Sequence, residues 1–148
     1  PTTILRFSNA YGEFSGHKKS IVSKIIKSYL SNENIEIYGD GNHSRDFIYV
    51  KDICTSIVRC FRKTTLCNEY HIGTGKETTL NNLIKITDSI FQKYKIKKPM
   101  IKYSKERIGD MKNNSLDITK TKKLLNWTPL FSLKRGLDKT INWYLSNN

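Results

Sequence analysis

The chain has 148 residues, enough for one ordinary domain with a real core, and 37% hydrophobic with 26% charged residues is a globular composition. No apolar run approaches the roughly 18–20 residues that span a bilayer. Net charge is +13, but the lysines are spread along the chain and no RNA-binding signature or basic–aromatic stripe accompanies them, so the excess excludes little beyond an acidic protein: it reads as a solubilising surface compatible with a local phosphate site, not as a nucleic-acid interface.

In chain order, "TILRF" (3–7) reads as a short buried strand and "SNAYGEFSG" (8–16) as a loop. "HKKSIVSKIIKSYLS" (17–31) places Ile21, Val22, Ile25, Ile26, Tyr29 and Leu30 on one helical face. "IEIYG" (35–39) is a strand, "DGNHS" a turn in which Gly41 takes a positive φ, and "DFIYV" (46–50) a second strand. Asp52 is placed to N-cap the helix "ICTSIVRCFRK" (53–63), which turns Ile53, Ile57, Val58 and Phe61 inward. "EYHIG" (69–73) is a strand, and Thr78 or Thr79 opens a helix carrying Leu80, Leu83, Ile84, Thr87, Ile90 and Phe91. "PMIKY" (99–103) is a strand, "SKERIGDMKNN" (104–114) a loop and "DITKTKKLLNW" (117–127) a brief helix stopped by Pro129. Ser132 caps a last helix with Leu133, Leu137, Ile141, Tyr144 and Leu145 on one side. With no repeat and no linker, the expected class is α/β or mixed α+β. The opening "PTTILRFSNAYG", without Met or a leader pattern, reads as a strand entered in mid-fold, which makes the chain a piece of something longer.

The complete catalytic signatures are missing. No G-x-x-G-x-x-G follows a strand, no G-x-S-x-G or P-loop occurs, Tyr49 and Tyr11 lack the lysine of a Tyr-x-x-x-Lys pair, and "GTG" (73–75) reads as a plain strand-to-helix turn. No catalytic residue is therefore assigned. Cys54, Cys60 and Cys67 form no C-x-x-C, and with nothing to suggest secretion a reduced, cytoplasmic setting is expected. His17, His43 and His71 stand apart as surface or packing residues, and no metal site is expected. Arg45 and Arg107 each stand in a loop beside an aspartate, Asp46 and Asp110, and close to a glycine. Such pairs are either surface ion pairs of small consequence or guanidiniums offered to a phosphate, each oriented by its neighbouring carboxylate.

"LRFSNAYG", "IEIYGDGNHSRDFIYVKDI", "YHIGTGKETTL", "RIGD" and "DITKTKKLLNWTP" occur in this order. Together they resemble the C-terminal half of the extended short-chain dehydrogenases/reductases, and more narrowly the NAD-dependent nucleotide-sugar epimerases and 4,6-dehydratases of the UDP-glucose 4-epimerase kind. The resemblance implies an α/β substrate domain with the last strands and helices of a Rossmann half. It further implies that residues 1–148 bind the nucleotide-sugar while the NAD-binding portion with its Tyr-x-x-x-Lys pair lies outside the chain, so that the chain alone catalyses nothing. The alternatives are a dehydratase portion or an inactive nucleotide-binding remnant or regulatory module.

By the same resemblance Asn9 contacts the substrate near sugar and phosphate, Ser20 offers the diphosphate a hydroxyl, and Glu36 and Tyr38 hold the base. Arg45 and Arg107 clamp the diphosphate, and Asp110 accepts from a ribose hydroxyl. Phe7 and Ser8 lie near the nicotinamide of NAD. Local roles stand beside several of these: a loop Asn bonding its own backbone for Asn9, a helix cap for Ser20, a core aromatic for Tyr38. Ile108 departs from the family's proline in R-P-G-D and implies a looser loop. The implied partners are a nucleotide-sugar, foremost a UDP-sugar, and the missing Rossmann half, with homodimerisation of the complete protein. No nucleic acid and no membrane are expected. Finally, "TILRF", "FIYV" and "EYHIG" are expected to bare apolar faces that the absent sheet would cover.

Overall fold

Hydroxyl side chains start the longer helices. In the computed structural model, which describes residues 2–62 and 69–147, Ser20 accepts from the Ser23 amide to begin α1 (Ile21–Ser31). Thr79 does the same through Asn82 for α3 (Leu80–Phe91), and Ser132 through Arg135 for α5 (Leu133–Ser146). α1 starts at Ile21, the first residue of the apolar pattern, and residues 17–20 of the stretch read as helical lie ahead of it, because Gly16 and His17 form a turn and Ser20 holds extended geometry. The inward faces of α1, α3 and α5 are those the periodicity predicts.

The strands are β1 (Ile4–Phe7), β2 (Asn9–Tyr11), β3 (Ile35–Tyr38), β4 (Ser44–Arg45), β5 (Phe47–Tyr49), β6 (Glu69–Ile72), β7 (Thr78–Thr79) and β8 (Ile101–Ser104). β1 pairs with β6, β2 with β5 and β3 with β8, all parallel, whereas the short β4–β7 pair is antiparallel. α2 (Val50–Arg62) and α4 (Thr119–Leu125) complete the mixed α/β frame. β5 is a wall between two cores. Phe47 and Tyr49 enter the larger cluster with α1, α3 and α5, while Ile48 enters a smaller one with Ile53, Tyr70, Ile72, Leu125 and Trp127. Successive strand side chains point to opposite faces, so a strand buried on both sides reads as an unbroken apolar run.

Several expectations give way. Residues 9–11 are a strand rather than loop, since their backbone pairs with 47–49. β1 is not buried: Ile4 is 51% and Phe7 46% exposed, because β6 covers one edge and little covers the faces. Of the strands expected to bare apolar faces, β5 and the Tyr70 and Ile72 side of β6 are instead fully covered. Asp52 is not a cap. It lies in the first turn of α2, wholly buried, and its carboxylate accepts from the Leu130 and Phe131 amides at 2.8 and 3.2 Å. The inward stripe of α2 is accordingly Asp52, Ile53 and Ser56, leaving Val58 exposed and Phe61 86% exposed. Lys63 and Cys67 lie outside the described residues; Cys54 and Cys60 are free thiols. No described helix is long and apolar enough to cross a membrane.

Candidate functional site

Alternation along β3 sends Ile35 and Ile37 into the core and leaves Glu36 and Tyr38 together on the other face. The Tyr38 hydroxyl donates to Glu36 Oε2 at 3.0 Å and the Ser104 hydroxyl of β8 to Glu36 Oε1 at 2.9 Å. Those two bonds, Ser104 foremost, hold the Glu36 carboxyl below the usual glutamate range. The chain then turns at 39–42, where Asp40 accepts from the Asn42 amide and Gly41 has φ +76°.

Beyond the turn, His43 and Arg45 lie two residues apart on one side of the segment, and Asp46 points the other way. The Arg45 guanidinium donates to the carbonyls of Ser44 and Met111 at 2.8 and 2.6 Å, and faces Asp110 at 3.8 Å. Asp46 does not orient Arg45. It is 1% exposed, and its carboxylate accepts from the Thr74 amide and hydroxyl and the Gly75 amide at 2.5–3.1 Å. The "GTG" turn is therefore an anion cradle filled by the protein's own carboxylate, not a plain turn. A Cβ on Gly73 would stand 2.5 Å from Asp46 Oδ2.

Arg107 arrives from the segment after β8. Its Cζ lies 3.7 Å from the centre of the Tyr38 ring, and Tyr38, Asp110 and Glu36 together make the guanidinium harder to deprotonate. The Asp110 amide donates to the Arg107 carbonyl at 3.3 Å. Asn9 gives its amide Nδ2 to the Asp46 carbonyl at 3.1 Å.

These groups enclose a cavity of about 180 Å³ over Ile37 and Leu80, with Asn9, Glu36, Tyr38, His43, Arg45 and Asp110 in its wall. A groove of about 290 Å³ shares Ile21, Glu36 and Tyr38 with it and runs on past Lys24 and Lys27. Asn9, Glu36, Tyr38, Arg45 and Asp110 are thus brought together, with Arg107 stacked on the Tyr38 ring. Ser20 is not in the wall; its hydroxyl caps α1 and donates to Ser23 Oγ. Phe7 and Ser8 lie at the end of β1, where the Ser8 amide bonds the Ile72 carbonyl and Ser8 Oγ is buried with no hydrogen-bond partner among the described residues. His43, read from the sequence as a surface or packing residue, also lines the wall; its side chain is 12% exposed and its Nε2 lies 2.9 Å from Glu106 Oε1. Its spacing from Arg45 was the available signal. Among the described residues no group of three or more metal-ligating side chains comes together. The wall offers guanidinium, carboxylate, amide and an aromatic face, which suit a small anion bearing a ring and hydroxyls.

At the level of class, this is a mixed α/β protein with parallel strands and a polar cleft between its loops. Residues 1–73 match the NAD dependent epimerase/dehydratase family. The chain is 38% identical over 148 residues to a Methanocaldococcus jannaschii protein named provisionally as a UDP-glucose 4-epimerase, covering 98% of this chain and 46% of that one. It is 28% identical to a dTDP-glucose 4,6-dehydratase of Escherichia coli, with coverage of 99% and 42%. The crystal structure of UDP-glucose 4-epimerase with UDP-glucose from Thermotoga maritima superposes with a TM-score of 0.87 at 33% identity, over 98% of this chain and 46% of that one. Over residues 1–73 the chain is similar to the NAD-dependent epimerase/dehydratase family, and as a whole it has the fold of the extended short-chain epimerases. It spans about half the length of the curated relatives it matches.

Proposed function

We propose that residues 1–148 are the nucleotide-sugar-binding C-terminal portion of an NAD-dependent epimerase of the UDP-glucose 4-epimerase type, with the NAD-binding Rossmann portion outside this chain. The observation that carries this is the meeting of Arg45 and Asp110 in one cavity wall, with Arg107 on the Tyr38 ring beside it. Guanidiniums from separate segments are suited to bind successive phosphates bidentately, which lysine does not do. Tyr38 offers a ring face to a base, Asp110 accepts from a ribose hydroxyl, and Asn9 contacts the sugar end. By anchoring the nucleotide, the chain supplies binding energy that orients the variable sugar.

The residues present fit the edge of NAD and no more: the half-exposed Phe7 ring and Ser8 Oγ, unpartnered among the described residues, stand at the end of β1, and no phosphate fingerprint occurs in the sequence. When bound, NAD supplies a hydride acceptor for C4 of the sugar. The edge of β1 that is unpaired among the described residues, with its exposed Ile4 and Phe7, supplies a seam for the remaining sheet. The match to a dTDP-glucose 4,6-dehydratase favours a second reading, in which the 4-keto sugar loses water before the hydride returns. Products of the complete protein separate the two: an epimeric sugar or a 4-keto-6-deoxy sugar.

The test is a thermal-shift and calorimetric series with UDP, dTDP, GDP and CDP, in which a ligand selective for the folded state raises the melting temperature. One nucleoside diphosphate is expected to stabilise the chain, and Arg45→Ala and Arg107→Ala are each expected to weaken it by about tenfold or more, since a charged hydrogen bond contributes about 1.5–3 kcal/mol. Indifference to all four nucleotides overturns the reading.

A further inference from the structure

We infer that residues 105–112 form a strap over the cavity, and that the His43–Glu106 pair is its latch, which makes both positioning residues for the two arginines. The strap has few apolar holds: Ile108 and Met111 are exposed, and nothing lies within 4 Å of where a Gly109 Cβ would point. It carries no helix or strand of its own. What ties it down is polar and reaches back almost wholly to one segment, residues 38–45. His43 Nε2 meets Glu106 Oε1 at 2.9 Å, and Arg107 lies on the Tyr38 ring. Arg45 donates to the Met111 carbonyl at 2.6 Å, and the Ser44 amide to the Lys112 carbonyl at 2.8 Å.

The two arginines therefore belong to opposing jaws, Arg45 on the 38–45 side and Arg107 on the strap. The distance between their guanidiniums is set by whatever sets the distance between the jaws. Of the contacts just named, the His43–Glu106 pair alone uses neither arginine nor the backbone. It lies next to Arg107 in sequence on one jaw and two residues from Arg45 on the other. Glu106 also covers Gly39, its Cγ 3.7 Å from where a Cβ there would sit. A contact between imidazole and carboxylate at that place holds the clamp near its working width before any ligand arrives, and preorganisation of this kind lowers the cost of binding.

The consequence for ligands rests on the nucleotide reading above, whereas the latch itself does not, so the two are tested separately. In the ligand-free chain, hydrogen exchange at the Ser44 and Asp110 amides is expected to speed up about fivefold in Glu106→Ala and in His43→Ala, the scale of one lost ion pair. His43→Gln, which keeps a donor, is expected to restore most of the protection. Because Glu106 is half exposed, its truncation leaves the core untouched. Unchanged exchange in both alanine variants overturns the latch. UDP is expected to bind about tenfold more weakly to Glu106→Ala, whose side chain lies outside the cavity wall, while uridine, which has no phosphate to clamp, binds that variant as before. Equal losses for UDP and uridine overturn the positioning role. Faster exchange in a chain whose wild type ignores UDP supports the latch and removes only the nucleotide reading.

Discussion

Asp46 decides more of the local geometry than any other single side chain near the cleft. Its carboxylate takes up the Thr74 and Gly75 amides and the Thr74 hydroxyl, so the strand on which Arg45 rides is pinned from behind to the loop after β6. An asparagine there has the shape but turns an NH₂ group toward donors. Asp46→Asn is expected to destabilise the fold by about 3 kcal/mol, the cost of leaving buried donors unpaired against a lost charged acceptor. Urea unfolding measures it; a loss within error of zero shows that the cradle is not a structural anchor. At this scale the sequence misled through proximity. Arg45 and Asp46 are neighbours in the chain, but consecutive residues of extended backbone face opposite ways, and the carboxylate that does face Arg45 is Asp110.

Among the elements, the segment from Thr78 to Phe91 joins the cleft to the core. Thr78 and Thr79 pair with Arg45 and Ser44, and Thr79 then caps α3, whose inner face carries Leu83, Ile84, Ile90 and Phe91. One side chain thus starts a helix at the point where the β4 ladder ends. Thr79→Ala is expected to cost about 1 kcal/mol through the lost cap alone. A denaturation midpoint unchanged in the variant, with a wild-type slope, counts against that role. The three hydroxyl-capped helices were legible beforehand because a cap and its apolar stripe are encoded within a few residues. α2 was legible as a helix but not in its cap and inward stripe, since its buried Asp52 answers to the amides of Leu130 and Phe131, far along the chain.

For the molecule as a whole, the carboxylates set the response to acid. Glu36 is held down by the Ser104 and Tyr38 hydroxyls, Asp40 by the Asn42 amide, Glu69 by Arg6 and Asp117 by Thr119, each below its unfolded value of 4.5 or 3.8. A depressed folded pKa means that below about pH 5 the unfolded chain binds protons the native state refuses. The stability these groups contribute is complete above their unfolded values and is lost as pH falls through the folded ones. Urea midpoints taken from about pH 6 down to about pH 3 are expected to fall steadily, and Glu36→Gln is expected to make that decline shallower. A midpoint flat across the range contradicts the assignment.

Chain order, the amphipathic stripes of α1, α3 and α5, their caps and the choice of Arg45 and Arg107 were all determined by the sequence, because each is written in residue type and short-range spacing; that Arg45 lies in a strand and not in a loop was not. The α/β class and the family resemblance followed from the same local patterns taken in order. Only the tertiary structure decided which carboxylate meets which arginine, that His43 reaches Glu106, that β5 divides two cores and that β1 stays half bare. Those depend on segments distant in the chain arriving side by side, and no local period or spacing carries that information.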